Sequence, residues 1–142
     1  MKRIGLLSDT HAYWDPRYAQ YFEGVDEIWH AGDIGSLEVL ENLQQVAPVR
    51  AVHGNIDGGD LRRLLPEKLR WSCEGLDVLM THIGGYPGKY DPRIRQFLYN
   101  RPPGLFISGH SHILKVMTVR TLVRFIVDEG KPRDLEVIEL AR

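Results

Sequence analysis

Leu105-Phe106-Ile107-Ser108-Gly109-His110-Ser111-His112 is a short apolar run that ends in two histidines one residue apart, a pattern that core packing alone does not explain. The same design recurs along the chain. Ile4 to Leu7 runs into Ser8-Asp9-Thr10-His11, Ile28-Trp29 into His30-Ala31-Gly32-Asp33, and Val49 to Val52 into His53-Gly54-Asn55-Ile56-Asp57. Leu76 to Thr81 runs into His82. All 6 histidines fall at the ends of these apolar runs. Each run reads as a buried strand that delivers polar groups at its carboxyl end. In open α/β sheets ligands bind beyond those ends, so one crevice can collect Asp9, His11, Asp33, Asn55, His82, His110 and His112.

The segments between the runs alternate at first. Asp15-Pro16 reads as an N-cap followed by the first helical position, predicting a helix to about Glu23 that Gly24 ends. Ser36 caps a second helix whose Leu37, Leu40, Leu43 and Val46 recur at the spacing of one buried face, and Pro48 stops it. Lys68 to Cys73 and Leu76 to Thr81 are two strands joined by the turn Glu74-Gly75. Asp91-Pro92 starts a helix to about Tyr99 with Ile94, Phe97 and Leu98 on one face, and Arg101-Pro102-Pro103-Gly104 breaks the chain after it. Val116 to Val119, Thr121 to Val127 and Leu135 to Leu140 read as antiparallel strands with a turn around Gly130-Lys131-Pro132. Strand–helix alternation followed by hairpins predicts an α/β fold with mixed sheets.

A chain of 142 residues is read as a single domain, 1–142, able to bury roughly 68–70% of the surface its unfolded form exposes. The formal net charge of -1, from 18 Lys+Arg and 19 Asp+Glu, provides no basic field for a membrane or nucleic acid. Anion binding is therefore expected to be local. The single cysteine, Cys73, leaves no internal disulfide framework and no cysteine-rich zinc site, which fits a reducing, cytoplasmic setting. The apolar stretch at the amino terminus is too short for a signal peptide or a membrane span, so the mature chain is expected to start there.

Carboxylates, imidazoles and one side-chain carbonyl, with no thiolate, suit a borderline divalent ion such as manganese, iron, nickel, cobalt or zinc. Seven candidate ligands exceed what one ion of four to six ligands can use while keeping an open position. Two ions sharing a bridging carboxylate fit the count. Such a pair, about 3.5–4 Å apart, clamps the attacking and leaving oxygens of a phosphoryl group in line, with a metal-bound hydroxide as nucleophile. Two divalent ions against Asp9 and Asp33 leave the site positive, which favours an anionic substrate.

Asp9-x-His11, Gly32-Asp33, Gly54-Asn55-x-Asp57, His82 and Gly109-His110-x-His112, in this order, resemble the calcineurin-like metallophosphoesterases, in particular their small bacterial and archaeal phosphodiesterase branch. The resemblance implies a four-layer α/β/β/α sandwich of two mixed sheets flanked by helices, with the metal site at one edge of the sheets. It also implies a ligand set: Asp9, His11 and His112 on the first ion, Asn55, His82 and His110 on the second, and Asp33 bridging. Asp33, Asn55 and His82 are then the expected catalytic residues. Asp57, His30 and His53 stand behind the ligands, His53 either as support or in proton transfer. Manganese is the first choice on this resemblance, with iron, nickel, cobalt, zinc or magnesium as alternatives.

The chain departs from the family pattern twice. Many relatives carry a histidine after the Gly-Asn pair, able to protonate the leaving group, whereas Ile56 stands here. An alkoxide would then lack a general acid, which favours diesters with good leaving groups or a proton from water or His53. Small members also continue from the last histidine pair through a strand into an Asn-Pro-Gly segment, whereas here Met117 passes directly to Thr118-Val119-Arg120. Either that loop is lost or it is omitted from the chain as read, and since Val119 looks like the start of a later strand, omission is the expectation.

The expected activity is metal-dependent hydrolysis of a small phosphodiester, with phosphomonoesters as a secondary class. A protein-interaction scaffold on the same fold, like the non-catalytic retromer subunit, is the alternative from another class, and a nuclease is a third. Membrane partners are not expected, nucleic acid is disfavoured by the missing basic surface, and a homo-oligomer is left open.

Overall fold

The computed structural model describes residues 1–86, 89–109 and 119–141. Its first half follows the strand–helix alternation: β1 (Lys2–Leu7), α1 (Pro16–Tyr21), β2 (Glu27–His30), α2 (Leu37–Val46) and β3 (Val49–Ala51). The capping residues act as expected. Asp15 accepts a hydrogen bond from the Arg17 backbone N–H at 2.9 Å, and Ser36 Oγ accepts from Val39 at 3.4 Å. A short helix, α3 (Gly59–Leu64), then leads to β4 (Lys68–Cys73), β5 (Leu76–Thr81), a two-stranded ribbon of β6 (Gly85–Tyr86) and β7 (Lys89–Tyr90), α4 (Pro92–Asn100) and β8 (Leu105–Ser108). The chain ends in the hairpin β9 (Val119–Asp128) and β10 (Lys131–Ala141).

Two sheets carry the architecture, in the orders β10-β9-β1-β2-β3 and β4-β5-β8. β1, β2 and β3 are parallel, as are β5 and β8, while β9, β10 and β4 run antiparallel to their neighbours. Both sheets are therefore mixed. Alternation along the strands sorts the apolar residues into three clusters. Ile28, Leu7 and Leu122 face α1 and α2, where Tyr18, Phe22, Val39, Leu40 and Leu43 cover them. Ile4, Trp29, Phe125 and Val127 face the other way, onto Val78, Met80, Leu76 and Ile107 of the smaller sheet. Leu79 points out of that sheet onto Ile94 and Leu98 of α4. The layers thus run helix, five strands, three strands, helix, as expected.

The sandwich interior is centred on Trp29, which is fully buried and meets Trp71 edge-on at 4.9 Å and Phe125 at 5.6 Å. Each such pair adds about 0.5–1.5 kcal/mol beyond its buried area. Trp29 and Phe125 come from one sheet and Trp71 from the other, so these contacts fix how the sheets dock.

The structure corrects the sequence reading at several elements. The helix α3 was not expected, because six residues opening on glycine are too short to show a helical period. The ribbon β6–β7 was likewise not expected. The last turn is Glu129-Gly130, with φ of +51° and +76°, so Lys131 and Pro132 already belong to β10. Proline is tolerated there because β10 is an edge strand, and the register shift between Arg133 and Glu136 disguised its first half as loop. The expected strand over Val116 to Val119, apart from Val119 itself, and the expected loop omission lie outside the described residues.

Gly5 on β1 faces α1, and a Cβ added there would sit 2.6 Å from Cδ1 of the fully buried Phe22 ring. Gly5→Ala is expected to lower unfolding free energy in urea by about 1–3 kcal/mol. Adding Phe22→Leu should make the second substitution cost less in the Gly5→Ala background than in the parent, a coupling that a double-mutant cycle reads directly.

Candidate metal centre

Because β1, β2 and β3 are parallel to one another, and β5 to β8, their carboxyl ends deliver the polar residues of each sheet together. Asp9 and His11 follow β1, Asp33 follows β2, Asn55 follows β3 and His82 follows β5. Ligand atoms of Asp9, Asp33 and His82 all lie within 4.8 Å of one another. His82 Nε2 is 3.1 Å from Asp33 Oδ2 and 3.7 Å from Asp9 Oδ1. His11 Nε2 stands 3.7 Å from each of the same two carboxylates. Four of the seven sequence-predicted ligands therefore converge. Asn55 lines the adjoining cavity with His82, and His110 and His112 lie outside the described residues.

The loops that hold these groups are knitted by their own backbones. Asp9 donates to the Gly32 carbonyl at 2.9 Å, His11 to that of Asp33 at 3.0 Å and Ala12 to that of Ile34 at 2.8 Å. To do so, Asp9, His11, Ala12 and Asp33 adopt φ of +57°, +49°, +66° and +56°. Each non-glycine residue in that region costs on the order of 1–3 kcal/mol and persists only where its surroundings over-determine it. Gly54 is required for a different reason: a Cβ there would collide with the Asp33 carboxylate.

The three residues expected behind the ligands divide by role. Asp57, 2% exposed, accepts from three backbone N–H groups: Gly54 at 2.8 Å, Gly35 at 2.8 Å and Ile34 at 3.3 Å. It thereby ties the Asn55 loop to the Asp33 loop. His30 is fully buried; its Nδ1 accepts from the Gly32 N–H at 3.1 Å, so its Nε2 carries the proton and donates to Thr10 Oγ1 at 3.1 Å. Thr10 in turn donates to the Ile34 carbonyl at 2.9 Å. Burial, reinforced by the neighbouring His82, pushes the His30 imidazole down to about 3, so it stays neutral. His53 lines the cavity, and its Nδ1 is buried without a hydrogen-bond partner among the described residues.

The electrostatics favour a cation between the carboxylates. Asp33 is 1% exposed, and burial alone would raise its pKa. The His82 imidazole and the Ile56 backbone N–H, the latter at 3.1 Å from Oδ1, together hold it below the ordinary carboxylate value. Burial likewise pushes His82 down, but the Asp33 hydrogen bond, the Ala31 carbonyl and Asp9 outweigh it and raise its pKa. His82 Nδ1–H donates to the Ala31 carbonyl at 2.8 Å, which turns Nε2 toward Asp33 and Asp9. Two carboxylates and an imidazole nitrogen so oriented are a donor set that suits a borderline divalent ion.

Arg62 is a residue whose role the sequence reading missed. Its Nε donates to the Asp57 carbonyl at 2.7 Å, and one terminal nitrogen donates to the Gly54 and Asn55 carbonyls at 3.2 and 3.3 Å. The guanidinium thus straps the Asn55 loop from α3. Together with Arg93, Glu67 and Asn55 it lines a cavity of about 300 Å³ beside His82. Only the placement of α3 could have revealed this.

A four-layer sandwich with buried carboxylates and an oriented imidazole at the joint edge of its sheets defines a phosphoesterase-fold protein with a candidate metal site. The chain belongs to the calcineurin-like phosphoesterase superfamily, whose domain model matches residues 1–132. Two archaeal relatives, each named a probable metallophosphoesterase, align over 91% of this chain. The one from Methanothermobacter thermautotrophicus is 29% identical over 76% of its length, and the one from Methanocaldococcus jannaschii 30% over 67%. Among solved structures, a Thermotoga maritima protein matches with a TM-score of 0.74 at 25% identity, covering 99% of this chain and 100% of that one. Vps29 of Entamoeba histolytica, solved in complex with zinc, matches with a TM-score of 0.63 at 11% identity, covering 96% and 98%, a likeness of fold.

The depressed His30 pKa makes a stability prediction. Unfolded, His30 takes up a proton below its ordinary 6.5, while folded it stays neutral down to about 3. Its contribution is therefore complete above pH 6.5 and is lost as pH falls toward 3. Near pH 4.5 the loss amounts to roughly 2–3 kcal/mol. Urea unfolding across this range is expected to show a steeper acid loss in the parent than in His30→Gln.

Proposed function

We propose that this protein is a metal-dependent phosphodiesterase that uses two divalent ions, with manganese the first choice of activator. The observation that carries the reading is the convergence of Asp9, Asp33 and His82, with His11 beside them, in a chain of this family. Asp33 is proposed to bridge the two ions. Asp9, His11 and His112 would hold the first, and Asn55, His82 and His110 the second. When bound, the ions supply Lewis-acid stabilisation of the phosphate oxygens and an activated water.

The chain's own residues prepare that chemistry. The Ile56 N–H and the packed loops hold the Asp33 carboxylate ionised and aimed. The Ala31 carbonyl fixes the His82 tautomer. Arg62, which has no carboxylate within ion-pair distance among the described residues, gives the cavity wall a cation that suits the anionic phosphate, while Arg93 is paired with Asp91 and Glu67, and the cavity's modest size suits a small ester. Ile56 is 46% exposed and has no proton to give, so esters with stable leaving groups are preferred. The reading includes action in a reducing cytoplasm, which the single, buried Cys73 thiol fits. The scaffold alternative would predict loss of ligands, whereas the sequence keeps all seven candidate residues and Asp9, His11, Asp33 and His82 converge.

Hydrolysis of bis(p-nitrophenyl) phosphate in manganese is expected, and Asp33→Ala or His82→Ala should reduce it by about a hundredfold or more. Calorimetric titration of manganese should show weaker binding in both variants, with unchanged circular dichroism. Manganese-stimulated turnover retained in folded Asp33→Ala would overturn the assignment.

A further inference from the structure

Two arginines line the cavity beside His82, and they differ in what their charge meets. Arg93 pairs with Asp91 at 3.0 Å and with Glu67 at 3.6 Å, so the Glu67 carboxylate in the same wall is answered too. Arg63, the neighbour of Arg62 on α3, pairs with Asp60. Arg62 has no carboxylate within ion-pair distance among the described residues, and its side-chain hydrogen bonds go to backbone.

A guanidinium carries five N–H donors in a fixed plane. In Arg62, Nε uses one on the Asp57 carbonyl at 2.7 Å, and Nη2 reaches the Gly54 and Asn55 carbonyls at 3.2 and 3.3 Å. The two donors on Nη1 have no acceptor among the described residues. Neutral carbonyls hold the group in place without cancelling its charge. Ordering a long side chain opposes ligand binding, and three bonds to one loop impose that order before a ligand arrives. Arg62 is thus a fixed cation with one open end, in the cavity that Asn55 and His82 also line. Lysine offers no equivalent, since a single ammonium on a flexible stem cannot hold three carbonyls through one edge and present donors from another.

We infer that Arg62 is a substrate-binding residue: Nη1 donates to a non-bridging phosphate oxygen of the bound ester, while Nε and Nη2 keep the Asn55 loop in place. This contact belongs to the phosphodiesterase reading proposed above and rests on it. One side chain then joins substrate to centre, because the loop that Arg62 ties also presents the Ile56 N–H to Asp33. Charge-assisted bonds of this kind are roughly twice as strong as neutral ones, so loss of the grip is visible in binding.

The grip and the strap have separate readouts. In calorimetry with phenylphosphonate, manganese-loaded Arg62→Gln is expected to bind about tenfold more weakly than the parent, a loss of about 1.4 kcal/mol. At saturating manganese its KM for bis(p-nitrophenyl) phosphate should rise about tenfold, with kcat within about threefold. Arg62→Lys keeps the charge and should recover most of the phenylphosphonate affinity, whereas its manganese affinity and urea midpoint should stay as low as in Arg62→Gln. Arg63→Gln removes the same charge one residue away and should match the parent throughout. Equal phenylphosphonate affinity and KM in parent and Arg62→Gln, with losses only in manganese affinity or stability, would show a strap alone and overturn the grip. An equal loss in Arg63→Gln would replace a specific contact by general charge and overturn it as well. Absence of turnover in the parent would refute the phosphodiesterase reading, and phenylphosphonate calorimetry would still decide the role of Arg62.

Discussion

A carboxylate that is 1% exposed has to be kept charged by its neighbours, and at Asp33 this requirement shapes the whole carboxyl edge of the fold. Removing an ion from water costs several kcal/mol unless partners replace the lost hydration. Asp33 has the His82 imidazole at 3.1 Å and the Ile56 N–H at 3.1 Å. Each partner has its own support: Ala31 orients His82, while Asp57 anchors Gly54 and so the loop that presents Ile56. Ile56, which departs from the family at its side chain, therefore still serves the site through its backbone.

Much of the fold was legible because local chemistry and global placement agree. Asp15-Pro16, Ser36 and Asp91-Pro92 are caps whose side-chain acceptors meet backbone N–H groups within three residues, so no tertiary information is needed to read them. The turn Glu74-Gly75 is likewise local, with φ of +48° and +82° that suit the twist of its hairpin. Elements became illegible where tertiary contact overrides pattern. Lys131-Pro132 looks like a turn until β9 is present to pair it at a sheet edge. The helix α3 has one fully buried apolar residue, Leu61, and no period can be read from one position.

The candidate site divides along the same line. Asp9, His11, Asp33 and His82 were visible because they fall at strand ends, and parallel strands bring those ends together. The work of His30 and Asp57 was visible only as proximity in sequence, since the hydrogen bonds that define their roles cross between loops 20 or more residues apart. The strap that Arg62 makes was not legible in the sequence.

The centre also depends on the sandwich core from which it projects. Asp9, Asp33 and Asn55 follow strands of the five-stranded sheet, whereas His82 follows the three-stranded one, so the 3.1 Å separation of His82 and Asp33 measures how the sheets dock. Gly32 and Gly109 permit the approach: a Cβ on either would sit 2.8 Å from the His82 side chain. Trp29, Trp71 and Phe125 set the sheet spacing from within. A change in their volume would shift His82 relative to the carboxylates without touching either. Since close-packed interiors transmit such displacements rather than absorb them, core and chemistry are constrained together here.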